Sequence, residues 1–383
     1  MIPGHATRGA TEGYAAGFGA SCASGHYSDF LNLHLKLSSL GLGMFPGAAD
    51  DATDGAVATI VERAVLSGIN VIDTAVHYRY GRTLVAVRAG LERAFAAGVA
   101  REQVFVAVKG GFLLFPEGRP SSLEQWFDAH IAARGLGTRA DLAGEHLLAA
   151  PYIAWQLEFA RAALGLATLD AFLIDQPEVH IAAVGKERAN RKLARAFAVL
   201  EQAVKQGRIR CYGVSTFDGM RVETDHALFE SIASLQGLAE GAARTAWGDE
   251  QARHHFRIVQ LPFNPAMTEG FTRFSQATGQ GNVGSTIQAA HQLRAYVMAS
   301  HTLGKGRFAL EDPLAALLPE LSNPAQRALQ FARSTPGIGT ALAGLSNPAH
   351  LDDLLAVART PPLAKQAYLG FYRRADDPPA LKA

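Results

Sequence analysis

Residues 70–82 read NVIDTAVHYRYGR, in which an apolar, strand-like run ends on an acid, Asp73, and a phenol, Tyr78, follows five positions later. A lysine, Lys109, lies inside the apolar run VFVAVKGG, and a second acid, Asp175, closes the run FLIDQP. Charged side chains inside apolar strands are costly unless paired, so Asp73 and Lys109 are expected to neutralise one another. An ammonium near a tyrosine hydroxyl favours the phenolate, and the carboxylate lets all three groups be buried together. Such a phenol can hand a proton to a carbonyl oxygen as hydride arrives at the carbon, or take it back from an alcohol. These residue types point to carbonyl reduction. A lone strand-end Asp or Lys is more often a cap or a surface ion pair; three matching groups on neighbouring strand ends weaken that plainer reading.

The elements that must position these groups alternate. GAVATIVERAVLSG has helical apolar spacing and INVIDTA reads as a strand; TLVAVRAGLERAFAAG and QVFVAVKGG repeat the pair, as do APYIAWQLEFARAALG and LDAFLIDQP. The beat continues through KLARAFAVLEQAVKQG to IRCYGVS, HALFESIASLQGLAEGA to FRIVQLPFN, TIQAAHQLRA to YVMASHTLG, and AQRALQFARST to GTALAGLS, with PAHLDDLLAVA last. Strands starting at Val71, Val104, Ala171, Ile209, Ile258, Tyr296 and Thr340, with one more near residues 37–43, make an α/β chain with the strand number of a (β/α)8 TIM barrel. An open doubly wound sheet would need a glycine fingerprint at its first strand-to-helix turn, and GLGMFPG followed by AADDATDG does not supply it. In a barrel the C-terminal strand ends carry the chemistry, which adds Ser215, Thr216, Gln260, Asn264, Ser300 and His301 to the candidates.

Residues 1–28 are rich in Gly, Ala and Ser without apolar periodicity and are expected to form a flexible or loosely docked arm. Residues 29–383 are expected to form one barrel domain with a loop insertion at about 110–150. At the catalytic face that loop would roof the pocket with Phe112, Phe115, Trp126 and Phe127, unless these aromatics form a small core of their own. The chain has 383 residues, 48% hydrophobic and 19% charged, and its 36 Lys and Arg nearly balance 35 Asp and Glu. A formal charge of +1 argues against a protein built for nucleic acid or an anionic membrane. Two cysteines, Cys22 and Cys211, lack disulfide or metal-cluster spacing, and the start lacks a secretory pattern, so a cytoplasmic protein without a bound metal is expected.

Over residues 35–360 the sequence resembles the aldo-keto reductase superfamily, and in its long loop a bacterial branch of it. GINVIDTAVHYRYGRTLVAVRAGL resembles the family's first signature, VFVAVKGG carries its lysine, and RIRCYGVSTFDGMR, VQLPFNPAM and GTALAGLSNPAHLDDLL follow in the family's order. The resemblance implies a TIM barrel that uses NADPH, with NADH open as an alternative, on a small-molecule carbonyl or conjugated enone. It implies Asp73, Tyr78 and Lys109 as catalytic residues, and Ser215, Thr216 and Gln260 around the nicotinamide carboxamide. The loop from His301 through Leu303 to Lys305 would follow the pyrophosphate, with Ser346, His350 and Asp353 at the adenosine end. Phe45, His77, Phe112, His146 and His180 would line the substrate pocket of a monomer or small homo-oligomer.

The chain departs from the family's pattern in three places. Asp175 stands where the family has a histidine that orients the carbonyl; steroid 5β-reductases carry Glu there and reduce a conjugated C=C bond. A buried Asp175 beside another carboxylate would be protonated and could donate to a carbonyl oxygen, as a fourth catalytic residue. The alternatives are that His146 or His180 takes the vacant place, or that the chain is an altered homologue acting as a cofactor-binding regulatory protein or in proton transfer or dehydration. Gly344 and His350 replace the cations that meet a 2′-phosphate, and Ser300 replaces an aromatic residue that stacks on nicotinamide in many members. The third departure is the loop of about 40 residues between the lysine strand and the next helix.

Overall fold

The computed structural model describes residues 1–279 and 281–372; residues 373–383, at the end of the expected barrel domain, lie outside them. Eight strands form a closed barrel: β1 (Leu40–Gly43), β2 (Val71–Ala75), β3 (Phe105–Gly110), β4 (Leu169–Asp175), β5 (Ile209–Ser215), β6 (Phe256–Pro262), β7 (Tyr296–Ser300) and β8 (Thr340–Gly344). Each pairs in parallel with the next, and β8 pairs with β1. Every residue of β2, β3 and β4 is buried, as expected of parallel strands covered by helices on one face and barrel interior on the other. The (β/α)8 fold expected from the alternation is therefore present.

The outer ring consists of α1 (Asp51–Val65), α2 (Arg82–Ala96), α3 (Ala150–Leu164), α4 (Lys186–Lys205), α5 (Ile232–Trp247), α6 (Thr286–Gln292), α7 (Pro324–Arg333) and α8 (Leu351–Ala358). In α4 the buried positions Ala189, Leu193, Ala196, Phe197 and Leu200 recur at helical spacing and form the stripe that packs on the barrel. α1 starts where the Asp50 side chain accepts from the Thr53 N–H at 2.8 Å, with Asp51 and Asp54 in the first turn complementing the helix dipole. No helix among the described residues is long and apolar enough to cross a membrane.

Residues 1–28 are not loosely docked. Arg8–Gly17 is a helix whose Tyr14 is buried and donates to the Val65 carbonyl at 2.5 Å, and the Ala6 N–H bonds Asp170 of β4 at 2.6 Å. The expected strand near 37–43 is two strands: Leu35–Ser38 forms a hairpin with Tyr27–Phe30, and only Leu40–Gly43 enters the barrel. Phe30, Leu35 and Leu37 of that hairpin pack against Val71, Phe105, Ala171, Ile258 and Tyr296, closing the N-terminal end of the barrel. A further hairpin, Phe274–Gly279 with Asn282–Ser285, lies between β6 and α6.

The long loop after β3 carries a helix, Leu123–His130, and its own core of Leu113, Phe115, Phe127, Ile131 and Leu147 against Tyr152 of α3. Trp126 packs on Phe115 and stacks on His130. Phe112 meets His77 and His146, while Phe115, Trp126 and Phe127 pack within the loop's own core.

Candidate active site

Asp73 on β2 and Lys109 on β3 form a buried ion pair, and the Asp73 Oδ1 also accepts from Gln260 Nε2 of β6 at 2.9 Å. Gln260 Oε1 in turn accepts from the Ser215 hydroxyl of β5 at 3.0 Å, so one hydrogen-bonded chain runs Ser215–Gln260–Asp73–Lys109 across the mouth. The Lys109 Nζ lies 5.0 Å from the centroid of the Tyr78 ring. Burial alone would lower the lysine pKa, but Asp73, Tyr78 and Asp175 more than offset it and hold the ammonium above its ordinary value.

Tyr78 opens a tight turn, Tyr78–Gly81, that is unusual for its backbone. Arg79 and Tyr80 both adopt left-handed φ values, 50° and 59°, a strained state for side-chain-bearing residues. What holds the turn is the buried Arg79 guanidinium, which donates to the Ala48 carbonyl at 2.6 Å, the Asp50 carbonyl at 3.2 Å and the Asp54 carboxylate at 2.5 Å. Arg79 was not among the candidates read from the sequence, although an arginine between two tyrosines beside Tyr78 is the kind of signal that could have marked it. Lys109 pulls toward the phenolate, as expected, but burial outweighs it and holds the pKa above its ordinary value, so Tyr78 is a protonated phenol.

Asp175, at the end of β4, is buried and its pKa is pushed up to about 7. Burial is the main cause; Lys109 and the Ser215 hydroxyl pull it down, while Asp73 and Glu178 add to the rise. His146 and His180 do not line the pocket as expected. Both are buried, with His146 Nε2 2.6 Å from the Asp175 backbone carbonyl and His146 Nδ1 2.9 Å from His180 Nε2. A carbonyl only accepts, so His146 carries its single proton on Nε2, and its Nδ1 accepts a hydrogen bond from the His180 Nε2–H. Burial, then each ring's neighbouring cation or imidazole, drives the two pKa values down to about 3 for His146 and about 4 for His180. Gly111, at φ 129°, makes room for this pair: a Cβ there would lie 2.2 Å from His146 Nε2.

The remaining candidates sit around the mouth. Phe45 is 61% exposed and meets the Tyr78 ring at 5.1 Å, while His77 lies 4.9 Å from Tyr78 and 5.0 Å from Phe112. Thr216 follows β5 with its hydroxyl buried and without a partner among the described residues. Ser300 ends β7; His301 follows at φ 53°, Leu303 precedes the turn Gly304–Ala309, and Lys305 projects from that turn, exposed, at φ 57°. Ser346 is half-buried, near the Gly47 turn after β1, and His350 is exposed at the start of α8. Asp353 already accepts from Asn323 Nδ2 at 2.6 Å and Gln326 Nε2 at 2.9 Å.

A family model described as the aldo/keto reductase family matches residues 39–237, just over half of the chain. The chain belongs to the aldo/keto reductase family. With that family it is an NAD(P)H-dependent oxidoreductase. The matched segment includes Asp73, Tyr78, Lys109, Asp175, Ser215 and Thr216 and stops before Gln260 and the two last loops. No curated protein matches the chain. Among solved structures, an aldo-keto reductase of Bacillus halodurans in its holo form aligns with TM-score 0.59 and 16% identity over 91% of this chain and 96% of its own. An aldo/keto reductase of Klebsiella pneumoniae in complex with NADP and acetate aligns with TM-score 0.56 and 16% identity over 90% and 94%. The thermostable aldo-keto reductase Tm1743, in complex with the inhibitor epalrestat, aligns with TM-score 0.57 and 16% identity over 89% and 97%. At that identity the three share the fold with this chain.

Proposed function

We propose that this aldo/keto reductase reduces the carbonyl of a small organic substrate, isolated or conjugated, with Tyr78 as proton donor. The observation that carries the reading is the Tyr78 ring held 5.0 Å from a lysine that is itself locked to Asp73 in a buried pair. Burial keeps the phenol protonated until the substrate oxygen develops charge; the fixed ammonium then favours the phenolate left behind. Asp73 keeps Lys109 in place and charged. Asp175, neutral below about pH 7, is a second acid beside the same oxygen.

The residues at the mouth fit a nicotinamide dinucleotide, which when bound supplies the hydride. The buried, unpartnered Thr216 hydroxyl beside Ser215 and Gln260 suits a carboxamide, which offers both a donor and an acceptor. Lys305, which forms no ion pair among the described residues, and the backbone of its left-handed turn suit an anionic pyrophosphate. At the adenosine end, Asp353 is engaged by Asn323 and Gln326, and Arg63, which reaches the same turn, is engaged by Asp352 at 2.9 Å. Among the described residues nothing there singles out a 2′-phosphate, so NADPH and NADH should both serve.

Titration with NADPH, following nicotinamide fluorescence and the melting temperature, tests cofactor binding before any substrate is known. At about 100 times the dissociation constant the fold should gain roughly 2.7 kcal/mol. Tyr78→Phe should keep that gain and lose turnover of aldehyde substrates by at least about 100-fold. Absence of binding by both NADPH and NADH would sink the reading, and a Phe variant with near-normal turnover would remove Tyr78 from its role.

A further inference from the structure

We propose that His77 anchors the substrate: its Nε2–H donates to the same carbonyl oxygen that Tyr78 protonates. This deepens the reductase reading above and rests on it. Three groups could take the place of the family's missing histidine, and two are already committed. His146 gives its only N–H to the Asp175 backbone carbonyl, and His180 gives its own to His146. Asp175 donates a hydrogen bond only while protonated, and once ionised it opposes charge building on the oxygen.

His77 has the opposite properties. Its ring is wedged between the Tyr78 ring, 4.9 Å away and edge-on, and the Phe112 ring, 5.0 Å away. The titratable groups that face it are Tyr78, Lys109 and His146, and none is an acid that would hold it as a cation. Burial and then Lys109 lower its pKa to about 3, so the ring stays neutral across the working range. Its Nδ1 is closed off from solvent without a partner among the described residues, while the residue as a whole is half-buried, so the ring meets the mouth through its other edge. An N–H donor orphaned in the interior is rarer and costlier than an orphaned lone pair, which places the single proton on Nε2. The result is a neutral donor next to the phenol that does not titrate when Asp175 does.

A buried, unpaired Nδ1 is a cost to the fold that a hydrocarbon ring would not incur. Replacing the imidazole should therefore separate function from stability. In the full-length protein with saturating NADPH and 4-nitrobenzaldehyde as the probe, His77→Phe should lower kcat/KM by about 100- to 1,000-fold, the range of losing one donor to a developing oxyanion. The cofactor dissociation constant should not change, and the melting temperature should be equal or higher. His77→Gln, which keeps an N–H, should stay within a few-fold of the parent. The loss in the Phe variant should deepen above pH 7, where Asp175 no longer donates. A Phe variant as active as the parent, or a Gln variant as impaired as the Phe variant, would overturn the assignment. If the parent binds NADPH yet reduces no aldehyde, the reductase reading has failed, and the imidazole is then read directly by 15N NMR. A neutral, Nε2-protonated His77 from pH 8 down to about 4 is expected for a ring so placed; an Nδ1–H tautomer or a cation at pH 6 would overturn the donor role by itself.

Discussion

Strand β4 carries one acid near its start and another at its end, and the two acids have opposite surroundings. Asp170, at the closed end of the barrel, is saturated: its oxygens accept from the Ala6 N–H at 2.6 Å, the Val106 N–H at 2.8 Å and the Arg101 guanidinium at 2.6 Å. Asp175, at the open end, forms no ion pair among the described residues, and the lysine nearest in charge is held by Asp73. The same contrast separates the two buried ion pairs. Arg101 also donates to the Val104 and Thr168 carbonyls and ties the arm and strands together, whereas Lys109 is shared between Asp73, Tyr78 and Asp175. A saturated acid has nothing left to offer a ligand. At the open end, by contrast, the Thr216 hydroxyl and the His77 Nδ1 are buried without a partner among the described residues, and Asp175 has no cation of its own.

Breaking both ion pairs in the same way should give the largest effects and distinguish the two ends. Removing one partner of a buried pair costs about 3–5 kcal/mol, because the other charge is left behind. Arg101→Met should therefore destabilise the protein by roughly that amount, measured by urea unfolding, while the folded fraction keeps its kcat. Lys109→Met should lose turnover by at least about 100-fold even where folded, since nothing then favours the phenolate. An Arg101 variant with impaired chemistry at equal folded fraction, or an active Lys109 variant, would collapse the distinction.

Asp175→Asn tests the open end of the strand more gently. In the folded protein the Asp175 pKa is raised to about 7, above its unfolded value near 4. The native state thus binds this proton more tightly than the unfolded chain, and stability falls as pH rises from about 4 through about 7. The Asn variant should lack that decline and melt higher than the parent at pH 8. Its activity should also lose the alkaline fall that the parent shows above about pH 7, because an amide donates without titrating. If Asn abolishes turnover while Asp175→Glu preserves it, the carboxylate is needed as such, and a proton-transfer role replaces the acid role.

The barrel was legible from its alternation because each parallel strand is a continuous apolar run and each helix an amphipathic one. The arm was not: its helix buries only Thr11 and Tyr14, too few positions to produce a period, and its docking depends on hydrogen bonds from Tyr14 and Ala6 to distant elements. Residues 37–43 looked like one strand because the break at Ser39 has no Gly, Pro, Asn or Asp to announce it. The hairpin from Phe274 to Ser285 is polar and glycine-rich and resembles a loop. At the site, the positions of Asp73, Tyr78 and Lys109 followed from strand ends, but the sign of the Tyr78 shift did not. It depends on whether burial or the ammonium dominates, which only the packing around the ring decides.

The smallest expected effect separates two parts of the open end. Lys305 is exposed on a left-handed turn between Gly304 and Gly306, where its charge acts through water. An exposed ion pair contributes about 1 kcal/mol or less, so Lys305→Ala should weaken NADPH binding by about fivefold at low salt and by less as salt rises. Both dinucleotides have the pyrophosphate, and NADH should therefore lose the same factor. His350→Ala should change neither affinity appreciably, since His350 is exposed to water at the start of α8. Fluorescence titrations of both variants with both cofactors measure all four values. A Lys305 effect confined to NADPH would place that lysine at the 2′-phosphate instead, and the adenosine end of the groove would then lie closer to β7 than to α8.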